Sequence, residues 1–281
     1  NRLGFFSEVE VETPEVPGSD DQVDVVFNVK ETTSGNFMIG LGYSQLGGLI
    51  TSLSVTQNNF LGTGNRVSVA AQRNDYSERY DISYFDPYFT RDGISAGYNL
   101  SYSESDYARS NLASFFSDRA AARVTFGLPL TETDTVGLSF GIDSITINPI
   151  VGTAQPIVDY IDALEKRTFH AWRTELSWAR DSRNAYWNPT RGTYQRAAAE
   201  LTLPGSTVEY YKFYYQFARY WPVHRHVVLL TAAELGYGNS YGDRVERTIY
   251  KQDGTVDRVV VADGLPFFEN FYAGGVRSIR G

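Results

Sequence analysis

Between residues 94 and 102 the chain reads Ile-Ser-Ala-Gly-Tyr-Asn-Leu-Ser-Tyr, apolar and small-polar in alternation. A period of two puts Ile94, Ala96, Tyr98, Leu100 and Tyr102 on one face of a strand, with Ser95, Gly97, Asn99 and Ser101 on the other. The pattern returns in about eleven segments: 37–44, 49–57, 67–73, 80–85, 94–103, 119–130, 136–147, 171–179, 194–203, 210–221 and 227–237. Each is near the roughly 9–11 residues with which a tilted strand crosses a bilayer.

Charge placement separates the two environments such strands can occupy. A soluble sandwich packs its apolar face on a second sheet, whereas a membrane barrel turns that face to lipid and keeps a wet lumen. Arg123, Asp143, Arg173, Glu175 and Glu234 all fall on the small-polar face, as a hydrated lumen requires. Connection lengths agree in part. Stretches 58–65, 86–93, 130–135 and 222–226 read as turns at one end, and 103–118, 148–170 and everything from 239 as long loops at the other. The exceptions are 181–192, long for a turn, and 204–208, short for a loop. The expected fold is all-β, a transmembrane antiparallel β-barrel. Eleven is odd, and single-chain bacterial barrels carry even numbers, so further strands are expected.

Composition fits this picture. The 281 residues are 42% hydrophobic, and 20 Tyr, 17 Phe and four Trp make the chain 15% aromatic, the composition of strands and of membrane aromatic girdles. No apolar run approaches the roughly 18 residues of a membrane helix. A net charge of -8 argues against a nucleic-acid partner. The absence of cysteine excludes disulfides and thiolate metal sites.

Residues 1–33 form a separate unit, too short for its own core, and 34–281 the barrel. Asn1-Arg2-Leu3-Gly4-Phe5-Phe6 reads as a helix end closed by Gly4, followed by strand-like runs at 9–13 and 23–30 across a turn-rich 14–21.

Motifs for chemistry are weak. His224 and His226 at i and i+2 share a strand face without an obvious third ligand, and read as a polar turn. Asp20-Asp21 lacks the spacing of a calcium loop. No Gly-x-Ser-x-Gly elbow is present, and Gly62-Thr63-Gly64 is a hairpin turn rather than a phosphate loop. No catalytic residue, metal or cofactor is implied. Two features stand out. The first alternating segment, Asn36, Phe37, Met38, Ile39, Gly40, Leu41, Gly42, Tyr43 and Ser44, places two glycines on its inner face. That marks either a barrel bend or a weakly held edge that accepts a foreign strand. Near the end, a loop rich in Phe267, Phe268, Phe271 and Tyr272 runs into Ile279, Arg280 and Gly281. There a guanidinium could dock on carboxylates, or simply lie exposed.

Several blocks resemble one family over essentially the whole chain. Asn1–Phe6, Pro17-Gly18-Ser19 and Asp24-Val25-Val26 resemble the end of a last POTRA domain. Asn59-Phe60-Leu61-Gly62-Thr63-Gly64, Pro87-Tyr88-Phe89, Pro204-Gly205-Ser206 and Phe268-Glu269-Asn270-Phe271-Tyr272-Ala273-Gly274-Gly275 resemble the barrel of the outer-membrane protein assembly factors, a POTRA plus surface-antigen-type superfamily. Ile279-Arg280-Gly281 matches the start of that family's Val-Arg-Gly-Phe/Tyr loop motif, with Ile for Val and the aromatic absent.

The resemblance implies a sixteen-strand barrel in the Gram-negative outer membrane, with 1–33 in the periplasm. It also implies a foldase and insertase rather than an enzyme, acting on unfolded outer-membrane β-barrel clients with accessory assembly lipoproteins and outer-membrane lipid as partners. Residues 36–44 would form a lateral gate, and Arg280 a lumen anchor of the sixth extracellular loop. The alternatives are a related POTRA-barrel transporter, a two-partner secretion pore, or a passive porin or surface antigen.

Overall fold

The computed structural model describes residues 6–14, 17–18, 22–31, 33–45, 47–108, 115–186, 188–242, 245–250, 256–262 and 264–271. The helix end read at 1–4 lies outside them. β1 (Phe6–Glu12) and β2 (Val26–Glu31) pair antiparallel as a two-stranded sheet, with Val9 opposite Val29.

Eleven strands form a second sheet: β3 (Gly35–Ser44), β4 (Gly48–Gln57), β5 (Arg66–Arg73), β6 (Ser77–Asp86), β7 (Ser95–Asp106), β8 (Phe115–Pro129), β9 (Asp134–Pro149), β10 (Thr168–Asp181), β11 (Gly192–Thr202), β12 (Tyr210–His224) and β13 (Val227–Ser240). Every strand pairs antiparallel with its sequence neighbour. The eleven alternating segments are these strands, with ends shifted by a few residues.

Register carries one parity class across the whole sheet. Ser52 faces Gln72, Ala70 faces Asp81, Asp81 faces Ser101, Ala121 faces Asp143, Glu175 faces Glu200 and Gln216 faces Glu234. The opposite face carries Ile82, Leu100, Phe140, Leu176 and Leu235, all exposed. Exposed apolar side chains over eleven strands are the lipid-facing surface of a barrel wall.

The two ends of the sheet differ. One end has connections 58–65, 87–94, 130–133, 182–191 and 225–226; the other has 45–47, 74–76, 107–114, 150–167, 203–209 and the chain after β13, so the contrast rests on 150–167 and the last stretch. The anomalous 181–192 turn is a prolonged hairpin. Ser182 N–H donates to the Thr193 carbonyl at 2.9 Å and Asn184 N–H to that of Arg191 at 3.1 Å, so the β10–β11 ladder runs on into the connection.

Three expectations are corrected at the long-loop end. Stretch 150–167 contains a helix, α1 (Gln155–Leu164), with Pro156 in its first turn and Tyr160 and Ile161 buried. The chain after 239 is not only loop: β13 continues to Ser240, and β14 (Val245–Tyr250) pairs with β15 (Val256–Ala262). The inner face is also not polar throughout. Phe115, Ile145, Ile147, Phe169 and Tyr210 form a buried core with Tyr160, Ile161 and Val208, flanked by Phe267 and Phe268. Inner positions at this end meet α1 and the following loop rather than water, so apolar side chains are stable there.

Candidate functional site

Below that aromatic cap, five successive strands each contribute one charge to a band on the inner face: Arg119 on β8, Asp143 on β9, Arg173 on β10, Glu200 on β11 and Lys212 on β12. Signs alternate from strand to strand: Glu200 stands directly opposite Lys212, and the other neighbours stand on the diagonal, still within reach of long side chains. The Arg119 fork donates to both oxygens of Asp143, Nε to Oδ1 and Nη2 to Oδ2, each at 2.8 Å. Arg173 Nη1 donates to Glu200 Oε1 at 3.3 Å, and its Nε lies 3.5 Å from Asp143 Oδ2 as an ion pair without a hydrogen bond. The Tyr210 hydroxyl donates to Glu200 Oε1 at 3.0 Å.

A sixth charge comes from outside the sheet. Glu269 sits in the short 3-10 turn Phe267–Glu269, in the loop after β15. Its Oε1 accepts from Arg173 Nη2 at 2.6 Å and from Arg119 Nη2 at 3.2 Å, and its Oε2 from Lys212 Nζ at 2.9 Å. Glu269 is 6% exposed, Arg173 7% and Asp143 4%. Burial alone would raise the Glu269 carboxyl pKa; the cations Arg173, Lys212 and Arg119 outweigh it and hold the group at about 2. It is ionised at neutral pH.

The loop has a steric seat as well. On β13 the inner positions opposite Tyr214 and Lys212 are Gly236 and Gly238. A Cβ on Gly236 would lie 2.7 Å from the Phe271 ring, and one on Gly238 2.8 Å from both Leu265 Cδ1 and the Tyr211 carbonyl oxygen. Glycine lets the loop lie against the wall. The Lys212 ammonium also faces the Tyr210 and Phe271 rings, 5.8 and 5.5 Å from their centroids.

The sequence placed Asp143 and Arg173 on the wet face, and they meet here. It missed Arg119, Glu200, Lys212 and Glu269. Arg119 shares parity with Arg123, a usable signal. Glu269 carried a weaker one, an acid inside the aromatic run Phe267-Phe268-Glu269-Asn270-Phe271 that needs counter-charges if the run is buried. Glu175 pairs instead with Arg196 at 3.1 Å, and Glu234 accepts from Gln216 at 3.0 Å.

The first-strand residues form β3. Asn36, Met38, Gly40, Gly42 and Ser44 are inner, opposite Thr56, Ser54, Ser52, Ile50 and Gly48, while Phe37, Ile39, Leu41 and Tyr43 are outer. The β3–β4 register is unbroken over ten pairs, from Gly35 opposite Gln57 to Ser44 opposite Gly48. Among the described residues β3 has no partner on its other side. Ile279, Arg280 and Gly281 lie outside the described residues. His224 and His226 flank the β12–β13 turn with ring centroids 5.8 Å apart. No group of three or more metal-ligating side chains occurs among the described residues.

An antiparallel, outwardly apolar wall whose charged inner face holds an inserted loop defines a class: outer-membrane β-barrels with a loop docked in the lumen. The Omp85 superfamily domain matches residues 59–281, and the chain belongs to that superfamily. It is 29% identical over 288 aligned positions to the outer membrane protein assembly factor BamA of Neisseria meningitidis serogroup B, covering 99% of this chain and 34% of that protein. The crystal structure of BamA from Haemophilus ducreyi lacking POTRA domains 1–3 matches with a TM-score of 0.78 and 29% identity, over 100% of this chain and 52% of that one. CdiB from Escherichia coli shares the fold, with a TM-score of 0.56 and 14% identity over 85% of this chain and 47% of that one. The chain spans about a third of the length of the Neisseria relative.

Proposed function

We propose that this chain is the gate-bearing part of a protein that folds and inserts β-barrels into the Gram-negative outer membrane, without enzymatic chemistry. The observation that carries the reading is the likeness of the whole wall, first strand β3 included, to the BamA barrel over 100% of this chain. An unpaired strand edge in hydrocarbon leaves backbone groups unsatisfied, each costing several kcal/mol. A client strand that adds to β3 satisfies both edges at once by β-augmentation. Residues 36–44 are the pairing surface, and their regular register with β4 makes β3 a straight template. Gly40 and Gly42 leave two of its five inner positions without a side chain. Residues 1–33 are the end of a periplasmic POTRA domain, the short connections face the periplasm, and Arg280 anchors the sixth extracellular loop. Unfolded outer-membrane proteins are the clients, with assembly lipoproteins and membrane lipid as partners.

Cysteine crosslinking in the full-length protein tests this. Gly40→Cys or Gly42→Cys should form disulfides with a cysteine in the last strand of a client during assembly. No crosslink to a client that is being inserted would overturn the gate, and a stable open conductance in purified protein would favour a passive pore.

A further inference from the structure

The wall charges do not balance by themselves. Arg119, Arg173 and Lys212 face only Asp143 and Glu200 within the strand band, and the neighbouring Glu175–Arg196 pair is already neutral. Five alternating charges that begin and end on a cation leave one positive charge over in a mostly buried place, a costly arrangement. Glu269 sits where that surplus is, touching all three cations. We infer that Arg119, Arg173 and Lys212 form a socket for one carboxylate, that Glu269 is its built-in ligand, and that occupancy of this socket positions loop 264–271 on the glycine seat of β13.

The attraction is of opposite sign to the one the family motif implies. There a loop cation, Arg280, seeks wall carboxylates; here a loop carboxylate completes a cationic wall. Glu269 is thus a positioning residue, acting through the loop. The inference rests on the proposed function only for its biological consequence.

Charge balance makes the test specific. In full-length protein reconstituted in nanodiscs, hydrogen–deuterium exchange is followed in the peptide covering 264–271. Glu269→Gln leaves the wall with an unmatched cation, and exchange should accelerate about tenfold, the usual scale for a lost charge-assisted contact. Lys212→Met alone leaves Glu269 in excess and should also accelerate it. In the double variant Glu269→Gln/Lys212→Met the second substitution has no carboxylate left to lose and removes the unmatched cation, so exchange should be no faster than in Glu269→Gln alone, a non-additivity expected of coupled charges. Additive loosening in the double variant, beyond that of Glu269→Gln, would mean that Glu269 and Lys212 act independently. That result, or unchanged exchange in Glu269→Gln, overturns the socket. Heat-modifiable migration on gels reports whether each variant folds. If Glu269→Gln does not fold, folding of the double variant supports the socket and its failure rejects it. Client assembly is not read in this experiment, so either proposal can fail while the other stands.

Discussion

Glu269 and Arg173 stand 96 positions apart in the chain and 2.6 Å apart in space. The pair joins a loop to the middle strand of the charged band, and both partners are almost completely buried. A buried pair of this kind is strongly destabilising to break from one side, because the remaining charge keeps its desolvation cost.

The loop carboxyl gives the molecule a defined acid limit. Glu269 has a folded-state pKa of about 2 against an ordinary value of 4.5. A depressed pKa means that its contribution is fully present above the ordinary value and is lost as pH falls from about 4.5 toward 2. The groups facing it are Arg119, Arg173 and Lys212, with Asp143, Glu200 and the Tyr210 hydroxyl behind them. Loss on the order of 3 kcal/mol is expected. The difference in unfolding temperature between the parent and Glu269→Gln should be largest at pH 7 and reduced to about a quarter at pH 2.5. A constant difference across that range would count against the pairing.

The glycine seat predicts an asymmetry on β13. In Gly238→Val the new Cβ meets the loop residue Leu265 and, on its other side, the Tyr211 carbonyl oxygen of β12, each at 2.8 Å, and since that backbone oxygen does not move aside it is the loop that must shift. In Gly236→Ala it meets the Phe271 ring, a side chain that can move aside. Limited proteolysis of the loop should therefore be faster in Gly238→Val than in Gly236→Ala, while both retain a folded wall.

The aromatic cap should bear much of the stability of the long-loop end. Phe169 is 1% exposed and packs its ring 5.3 Å from Phe268 and 5.9 Å from Tyr160. Phe169→Ala should cost about 3–5 kcal/mol, the range for a buried aromatic truncated to alanine. Denaturant unfolding checks this. A cost under about 1 kcal/mol would show that the cap collapses around the gap.

On β3, stability and assembly should separate. A Cβ on Gly40 would strike only the Ser52 hydroxyl, the free end of a short side chain. Gly40→Ala should thus change stability by less than about 1 kcal/mol. If the bare inner positions serve client pairing, assembly in proteoliposomes slows all the same. Equal assembly rates at equal stability would assign these glycines to packing alone.

Much of the wall was legible in the sequence because one rule governs it. Leu138, Phe140 and Ile142 against Ser139, Gly141 and Asp143 can alternate only if two media differ, and eleven segments repeated that contrast. The rule fails where the inner face stops meeting water. Ile145 and Ile147 continue the parity of Asp143 but pack under α1, so their polarity reports a lid that alternation cannot see. α1 itself has apolar residues at 157, 160, 161 and 164, a helical spacing inside a stretch whose length alone suggested loop. Glu269 was hidden for another reason: its partners lie on three strands, and no local pattern records a contact across 150 positions, its separation from Arg119.

The neighbour-to-neighbour strand order also bears on how such a wall comes into being. Each strand needs only the one before it, so pairing can proceed as a series of local hairpins with small loop-closure penalties. The Glu269 contacts are different in kind, since they require β8, β10 and β12 to have arrived together. A carboxylate that finds all three cations therefore reports that this part of the curved wall is complete, and gives the growing sheet a late, long-range stop.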